Sequence, residues 1–514
     1  MKIPQLSHAR VFAGILLLGL LAMTARNAVD PDLWWHLRTG QWILETGKIP
    51  HSDPFSFSRA GNPWVSHEWL SEVVFYKIWR HSGAAGLIVF SAVATTVGFM
   101  LLYLRCPGKP HWAGAAVALG ALASAPTWGV RPQMFTFTLA SLLLWLIECG
   151  EERPRLLFWI PPLFLVWLNL HAGFALGPAL MLGWAVGLIW EVVAGQTRWP
   201  EARPQILRVL GLILVCMALV PLNPSGSQLY RYPLDVLRSA GMRSFIVEWL
   251  PPNFHELRYI PLLLMYLALV VAFARSPSRP KARVLLPLLA MLLASLDAAR
   301  HIPIFVLLAA PLIAEFCSLA SSARKAARTG QLPSARSFRV ALNGTALVLM
   351  AVFAVVRWDN LVRSQAAREA ELSPQKAVAF LASHNQPSRV FAYYDWGGYA
   401  IWKLYPQYRV FVDGRADLYG DDLLDQFQRA IQLKSGWRQV LDAWNVQTVL
   451  VPPTSALAQA LRLDAAWRAE YRDAQAVLLS RSGPAAAGGI CSGPDRRRQG
   501  GEKISTRAFA NLRN

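Results

Sequence analysis

Apolar runs of near-spanning length recur through the first two-thirds of this chain, and nothing else in it limits the possible fold so strongly. About eleven can be counted, each about 17 to 21 residues, the length a helix needs to cross about 30 Å of hydrocarbon. They lie at approximately 11–28, 84–104, 111–129, 133–149, 156–171, 174–194, 206–222, 257–274, 283–298, 302–320 and 340–357. With 54% hydrophobic and 16% charged positions among 514, the chain reads as a polytopic α-helical membrane protein. The basic head before residue 11 and small residues such as Ala25 and Ala28 also match a signal peptide. An uncleaved anchor fits better, because the spans that follow need an orienting first helix.

The formal charge of +20 raises the question of nucleic acid, and the placement of the charge answers it. Lys and Arg gather in alternate loops: Arg105 and Lys109; Arg153 and Arg155; Arg198, Arg203 and Arg208; Arg275, Arg279, Lys281 and Arg283; Arg324, Lys325, Arg328, Arg336 and Arg339. This is the positive-inside pattern of an inner (plasma) membrane protein, with a cytoplasmic N-terminus and everything after about Trp358 outside. No nucleic-acid partner is expected. Cys106, Cys149, Cys216, Cys317 and Cys491 form no CxxC pair and no metal-ligand spacing, so buried apolar thiols are the default.

The opposite face carries the notable polar groups. The first external loop, 29–82, contains Asp30, Asp32, His36, Asp53, His67 and Glu68 among many aromatic residues. Two carboxylates one residue apart at a membrane exit suit either of two tasks: holding a hard divalent cation such as Mg or Mn, with Glu68 as a further ligand, or taking a proton from a hydroxyl. The Asp30-Pro31-Asp32 pair also reads as a helix-capping Asp with Pro at the first helical position, since LWWHLRTGQWILETG is an amphipathic helix ending at Gly47. Trp34, Trp35, Trp64 and Trp69 are expected as interfacial anchors. Other outward span ends bring Arg131, Asn169, His171, Asn223, Glu248, Asp297, Arg300 and His301 to the same side. Ionisable groups near membrane depth are costly and usually line a cavity or pathway. The chain has no GxxxxGK[ST], HExxH or GxSxG motif, so ATP-driven transport and zinc peptidase chemistry lack local support.

After the last span the pattern changes. Residues 358–480 are predicted to form an external α/β domain: a helix to about Ser383, strands at Arg389–Tyr394, RVFVDG, VQTVLVP and QAVLLS, and helices in DWGGYAIW and from Asp421 to Leu433. Tyr394, Asp395, Trp396, Asp413, Arg415 and Asp417 fall at or near its strand ends, where such domains place ligand sites, although Asp413-Gly414 is also an ordinary turn. A basic tail, 481–514, lacks apolar periodicity and is expected to be disordered. The remainder, 1–357, is the transmembrane domain.

Two stretches resemble a known class. DPDLWWHLRTGQWILETGKIP, directly after the first span, is similar to the first external loop of GT-C membrane glycosyltransferases, above all the catalytic subunit of oligosaccharyltransferase. YYDWGGYAIW followed by RVFVDGRADLY resembles that subunit's WWDYG signature and the strand after it, with the aromatic order altered at Tyr393 to Gly397. The resemblance implies a GT-C fold and transfer of a sugar from a polyprenyl-phosphate-linked donor to an external acceptor, an envelope glycan, lipid or protein. Asp30 or Asp32 would then be the catalytic base or hold the cation, and Arg131, His171, Arg300 and His301 would meet the lipid phosphate. His36, Asp53, His67, Glu68, Asn169, Asn223, Glu248 and Asp297 would support them, and the external-domain residues would meet the acceptor. Oligosaccharyltransferase-like transfer to protein, a lipid or sugar transporter, and a noncatalytic scaffold are the alternatives.

Overall fold

A computed structural model describes residues 8–275, 280–326, 336–384 and 389–482. The expected tail beyond residue 482, with Cys491, lies outside the described residues, as do Arg279 and Arg328. Each apolar run is a helix: α1 (His8–Thr24), then, after the surface helix α2 (Leu33–Thr46), α3 (Trp69–Arg105), α4 (Pro110–Ser124), α5 (Gln133–Glu152), α6 (Ile160–Leu170), α7 (Leu176–Val193) and α8 (Trp199–Leu219). Two short helices follow, α9 (Gln228–Arg238) and α10 (Ala240–Phe245), before α11 (Ile260–Arg275), α12 (Ala282–Asp297), α13 (Ile302–Ala326) and α14 (Arg336–Leu372). Among the described residues, seven helices are long and apolar enough to cross a membrane unaided. The apolar helices α1, α4, α6 and α12 are shorter, at 17, 15, 11 and 16 residues.

Packing explains why these helices are apolar on all sides. Inner faces meet one another, α4 against α11 and α13, α12 against α7, and α14 against α1. Outer faces leave residues such as Leu214, Leu293, Leu349 and Val355 exposed, as a lipid-facing surface requires. The basic loop residue Arg283 has a second task. It is buried, with Nη2 at 2.7 Å from Glu191 and Nη1 at 3.3 Å from Glu151, so it ties α12 to α7 and α5 as well as contributing positive charge.

The α3 helix has two parts. Gly83, at φ 59°, breaks it, and only a residue without Cβ takes that conformation cheaply. The segment before the break packs against α2, and the segment after it enters the bundle.

Beyond the bundle stand α15 (Gln375–Ser383), β1 (Arg389–Ala392), α16 (Tyr394–Leu404), β2 (Arg409–Val410), α17 (Ala416–Ile431), α18 (Trp437–Ala443), β3 (Thr448–Val451), α19 (Ala456–Arg462), β4 (Trp467–Arg472) and β5 (Val477–Arg481). The strands form one sheet in the order β2-β1-β3-β5-β4, with β1 parallel to β2 and β3, and β5 antiparallel to both neighbours. The sequence reading anticipated four strands and missed β4. That strand, WRAEYR, lies at the sheet edge with most of its side chains outside the core, so it lacks the apolar alternation that marks a half-buried strand.

The first external loop joins bundle to domain. Phe57 N–H donates to the Val410 carbonyl at 3.0 Å and Ser56 bridges to Val410, so the loop extends the sheet at its β2 edge. Trp34, Trp35, Phe55, Trp64 and Phe75 share one buried cluster with Val390, Trp396, Tyr399 and Ile401. The expectation that Trp34, Trp35 and Trp64 anchor the chain among lipid headgroups is therefore corrected. The domain sits on these rings, and Trp34 packs edge-on against Tyr399 at 5.0 Å. Trp69 is likewise engaged, donating through Nε1 to Asn169 Oδ1 at 2.8 Å.

Candidate active site

The carboxylates of the opening loop meet a single guanidinium. Arg131, in the turn before α5, reaches Asp32 Oδ2 at 2.9 Å through Nη2, Asp30 Oδ2 at 3.4 Å through Nε, and Glu248 Oε2 at 2.8 Å through Nη1. Glu248 also faces Arg300 Nη1 at 3.8 Å and accepts from Gln133 Nε2 at 3.1 Å. Arg300 in turn lies over the Trp249 ring at 4.1 Å. Asp32 occupies the N-cap position of α2 but makes no side-chain capping bond. Its Oδ1 accepts from Trp35 Nε1 at 3.3 Å, and its Oδ2 is given to Arg131. Asp32 is thus no cap, whereas Asp30 Oδ1 accepts the backbone N–H of Asp32 at 3.0 Å at the entry to the helix.

Three carboxylates against two arginines leave one negative charge in excess, and the excess falls on Asp32. Burial pushes its carboxyl up, to about 8, with Arg131 opposing and the charges of Asp30 and Glu248 adding to the rise. Glu248 behaves in the opposite way. Against the effect of burial, Arg131 and Arg300 hold it below the usual range. Neighbouring carboxylates in one site are thereby set apart, one with affinity for a proton near neutrality and one firmly ionised.

A second polar group adjoins the first through the rings of Trp35 and His36, whose centroids are 3.6 Å apart. Its centre is Glu68, with Oε1 at 3.0 Å from His67 Nε2 and 3.4 Å from His171 Nε2, and Oε2 at 3.6 Å from His36 Nε2. The backbone N–H of Gly173 donates to His171 Nδ1, so the ring proton belongs on Nε2 and points at Glu68. Burial lowers His171 to about 4 and His36 to about 3, leaving both neutral. His67 differs. Although burial opposes it, the Glu68 carboxylate raises His67 to about 9, which makes these two a buried ion pair. Tyr232, from α9, continues the chain, 3.3 Å from His67 Nε2 and donating to Asp417 Oδ2 at 3.2 Å.

Other candidates from the sequence are placed as follows. Asn169 and Asn223 bond to each other at 3.1 Å and to backbone carbonyls at the α6 end. His301 donates to the Ala294 carbonyl at 3.1 Å and meets the Trp249 ring edge-on. Asp297 faces Arg243 at the exposed surface. Asp53, Asp413 and Arg415 form a fully buried triad, with Arg415 at 2.8 Å from Asp53 and 2.7 Å from Asp413, so they lock the loop to the domain and present no surface to an acceptor. Trp396 is buried and donates to the Leu372 carbonyl, while Tyr394 packs edge-on against Phe245 at 4.5 Å. Asp395 shares the first turn of α16 with Tyr394 and stands near it, adding to the rise that burial gives the Tyr394 hydroxyl. Gln133, Tyr232 and Trp249 were not singled out from the sequence. They carry no spacing signal that separates them from ordinary structural residues.

A divalent cation does not fit the carboxylates as arranged. The donor oxygens of Asp30 and Asp32 face Arg131, and the expected third ligand, Glu68, is drawn to His67 instead. Among the described residues no group of three or more His, Cys, Asp or Glu side chains converges to hold a metal. Arg131 supplies positive charge where the sequence reading left a cation as one of two alternatives.

The domain closes over the site at Gly414, where any Cβ would collide with Asp32 Oδ1 and lie 2.9 Å from Trp35 Nε1. We expect Gly414→Ala to push the Asp32 carboxylate off Arg131. Turnover should fall about a hundredfold, since a displacement of about 1 Å in a reacting group costs that much. Thermal melting should change little, and unaltered turnover would show that the close approach has no functional weight.

No protein-family model and no curated protein matches the chain. Solved structures do. The archaeal oligosaccharyltransferase AglB from Archaeoglobus fulgidus, in complex with an inhibitory peptide and a dolichol-phosphate, aligns with a TM-score of 0.52 and 12% identity over 86% of this chain and 69% of that one. The apo form of the oligosaccharyltransferase from the same organism aligns with a TM-score of 0.51 and 12% identity over 87% and 70%. ArnT from Cupriavidus metallidurans bound to undecaprenyl phosphate aligns over 93% and 98% at 16% identity, but its TM-score of 0.49 adds nothing to the assignment of the fold. The chain is a polytopic membrane protein with the fold of the GT-C glycosyltransferases.

Proposed function

We propose that this protein transfers a glycosyl group from a polyprenyl-phosphate-linked donor to an acceptor hydroxyl, with inversion at the sugar carbon, on the extracytoplasmic face of the inner membrane. The observation that carries this reading is the Asp32 carboxylate, raised toward neutrality, held beside Asp30 and Glu248 on the Arg131 guanidinium. The shared fold supports the class of chemistry, and the dolichol-phosphate named with AglB supports the class of donor.

In this mechanism Asp32 takes the proton of the acceptor hydroxyl as its oxygen bonds to the anomeric carbon. The bond from that carbon to the phosphate oxygen breaks, and the electron pair leaves with the lipid phosphate. Arg300, with only the edge of Glu248 as partner and a tryptophan beneath it, is the cation best placed to take up the new charge. The positively charged loops, read by the positive-inside rule, support a cytoplasmic N-terminus and an external α/β domain.

A base works only when it is deprotonated, so the sign of the pH dependence follows. Values of kcat/KM should rise about tenfold per pH unit and level off above about 8, where Asp32 has lost its proton. Purified protein supplied with a panel of polyprenyl-phosphate-linked sugars tests both statements. Transfer with this profile supports the reading, and no transfer from any such donor would remove it.

The likeness to an oligosaccharyltransferase favours a second reading, en bloc transfer of an oligosaccharide to protein. Glycan analysis of external proteins from a deletion strain separates the two. A transporter fits less well, because the charged groups gather at one end of the bundle beneath the α/β domain and not along a path through it.

A further inference from the structure

Two arginines of the opening loop find partners within the fold. Arg38 donates to Gln41 at 2.7 Å and lies over the Tyr405 ring, and Arg59 donates to the Tyr419 carbonyl. Three cationic positions further along do not. Lys77, Arg80 and His81, in the first part of α3, are exposed, and among the described residues their side chains make no ion pair and no hydrogen bond. Their spacing of three and four residues puts them on one face of the helix, where like charges repel. Tyr76 and Trp79 hold this part of the helix to the α/β domain, each meeting the Trp402 ring of α16 at 6.2 Å. Together with Leu44, exposed near the end of α2, the three line a cleft of about 470 Å³, within the size range of small-ligand sites.

The cleft stands at a membrane boundary. The break at Gly83 comes just after His81, and from residue 84 to Arg105 the helix rises about 33 Å at about 1.5 Å per residue, the thickness of the hydrocarbon. Val89, Val93 and Val97, spaced four residues apart on that stretch, are exposed as a lipid-facing stripe. Lys77, Arg80 and His81 therefore lie at the level of the headgroups. In the orientation proposed above this is the translocated side, where the positive-inside rule disfavours Lys and Arg, so chain topology does not account for them. Charge complementarity does: the headgroup layer is where a membrane carries its phosphates.

We propose that this cleft binds the headgroup of an anionic phospholipid from the leaflet that faces the α/β domain. Arg80 offers a planar fork to two phosphate oxygens, Lys77 adds a compact charge and His81 a ring N–H. Leu44 gives the glycerol end of the lipid an apolar contact. The bound phosphate offsets the repulsion between Lys77 and Arg80 and bridges α2 to the first part of α3. Such a site is independent of the transfer chemistry, and its loss leaves the glycosyltransferase reading intact.

Native mass spectrometry of the full-length protein, titrated in detergent with phosphatidylglycerol and with phosphatidylcholine of the same acyl chains, provides the test. Phosphatidylglycerol should bind more tightly. Lys77→Gln combined with Arg80→Gln should weaken it about thirtyfold, as expected for two basic residues meeting anionic headgroups, and leave phosphatidylcholine unchanged. Leu44→Glu, which keeps both cations and brings a negative charge into the cleft, should also weaken phosphatidylglycerol. Arg462→Gln with Arg472→Gln removes the same charge from exposed positions of the α/β domain and should leave both lipids as in wild type. All these positions are exposed, so folding should be little affected. A wild type without preference between the lipids, or a Lys77 and Arg80 double variant that keeps the preference, would overturn the site. An equal loss in the Arg462 and Arg472 pair would overturn it by showing a response to net charge alone. Retention of an acidic protein by the wild type, lost in the Lys77 and Arg80 double variant and not displaced by phosphatidylglycerol, would overturn it in favour of a protein occupant.

Discussion

Replacing Asp32 by asparagine is expected to lower the rate of the proposed glycosyl transfer by about three orders of magnitude, within the range lost when a general base is removed, and to leave the protein folded. The substitution keeps the shape of the side chain and the acceptor for Trp35 Nε1. It removes the negative charge and the capacity to take a proton. Stability should be little altered, because Arg131 retains Asp30 and Glu248, and the raised pKa means that the carboxylate gave the fold little as an anion. Asp30→Asn is the comparison that isolates the role. Asp30 accepts the backbone N–H of Asp32 at 3.0 Å and touches Arg131 at a longer distance, so its neutralisation should cost less and leave the pH profile in place. Measured with purified protein and a polyprenyl-linked sugar, full activity in Asp32→Asn would take this carboxylate out of the chemistry.

Replacing Arg415 by leucine is expected to unfold the junction between loop and domain. Arg415 is buried between Asp53 and Asp413, and its guanidinium lies 4.7 Å from the centroid of the Trp64 ring and 5.2 Å from that of Phe55. Without it two carboxylates face each other out of water, and losing one partner of a buried pair costs about 3–5 kcal/mol. Against burial, Arg415 holds Asp53 below the usual carboxylate range, so the stabilisation is present at neutral pH and lost as pH falls through that lowered value. The expected result is a lower melting temperature in detergent and proteolytic cutting between residues 51 and 66, with the apolar helices still inserted. Protease resistance equal to wild type would show that the loop is held by its aromatic packing alone.

The spans could be read from the sequence because a bilayer demands length and apolarity, and the eleven runs became eleven helices. The meeting of Asp30 and Asp32 with Arg131 was accessible by a less direct route, through the rule that ionisable groups at span ends face a shared cavity. Partner choice was not legible. Nothing local separates Glu248, which completes the group around Arg131, from Glu68, which leaves it for three histidines; the difference is the direction each backbone gives its carboxylate after folding. The burial of Trp34, Trp35 and Trp64 was missed for a related reason. Aromatic residues beside a span look the same whether lipid headgroups or a protein domain will cover them, and the covering residues, Trp396 and Tyr399, lie more than 300 positions away.

The tie between Asp53 and Arg415 spans 362 positions of chain. During synthesis the opening loop therefore reaches its compartment long before the segment that fastens it exists, and every intervening helix is made while that loop is unsecured. Closure of Gly414 over Asp32 belongs to the last stage of biogenesis. A ribosome that stalls within the final membrane helix would release a product with its bundle nearly whole and Asp32 never covered by Gly414.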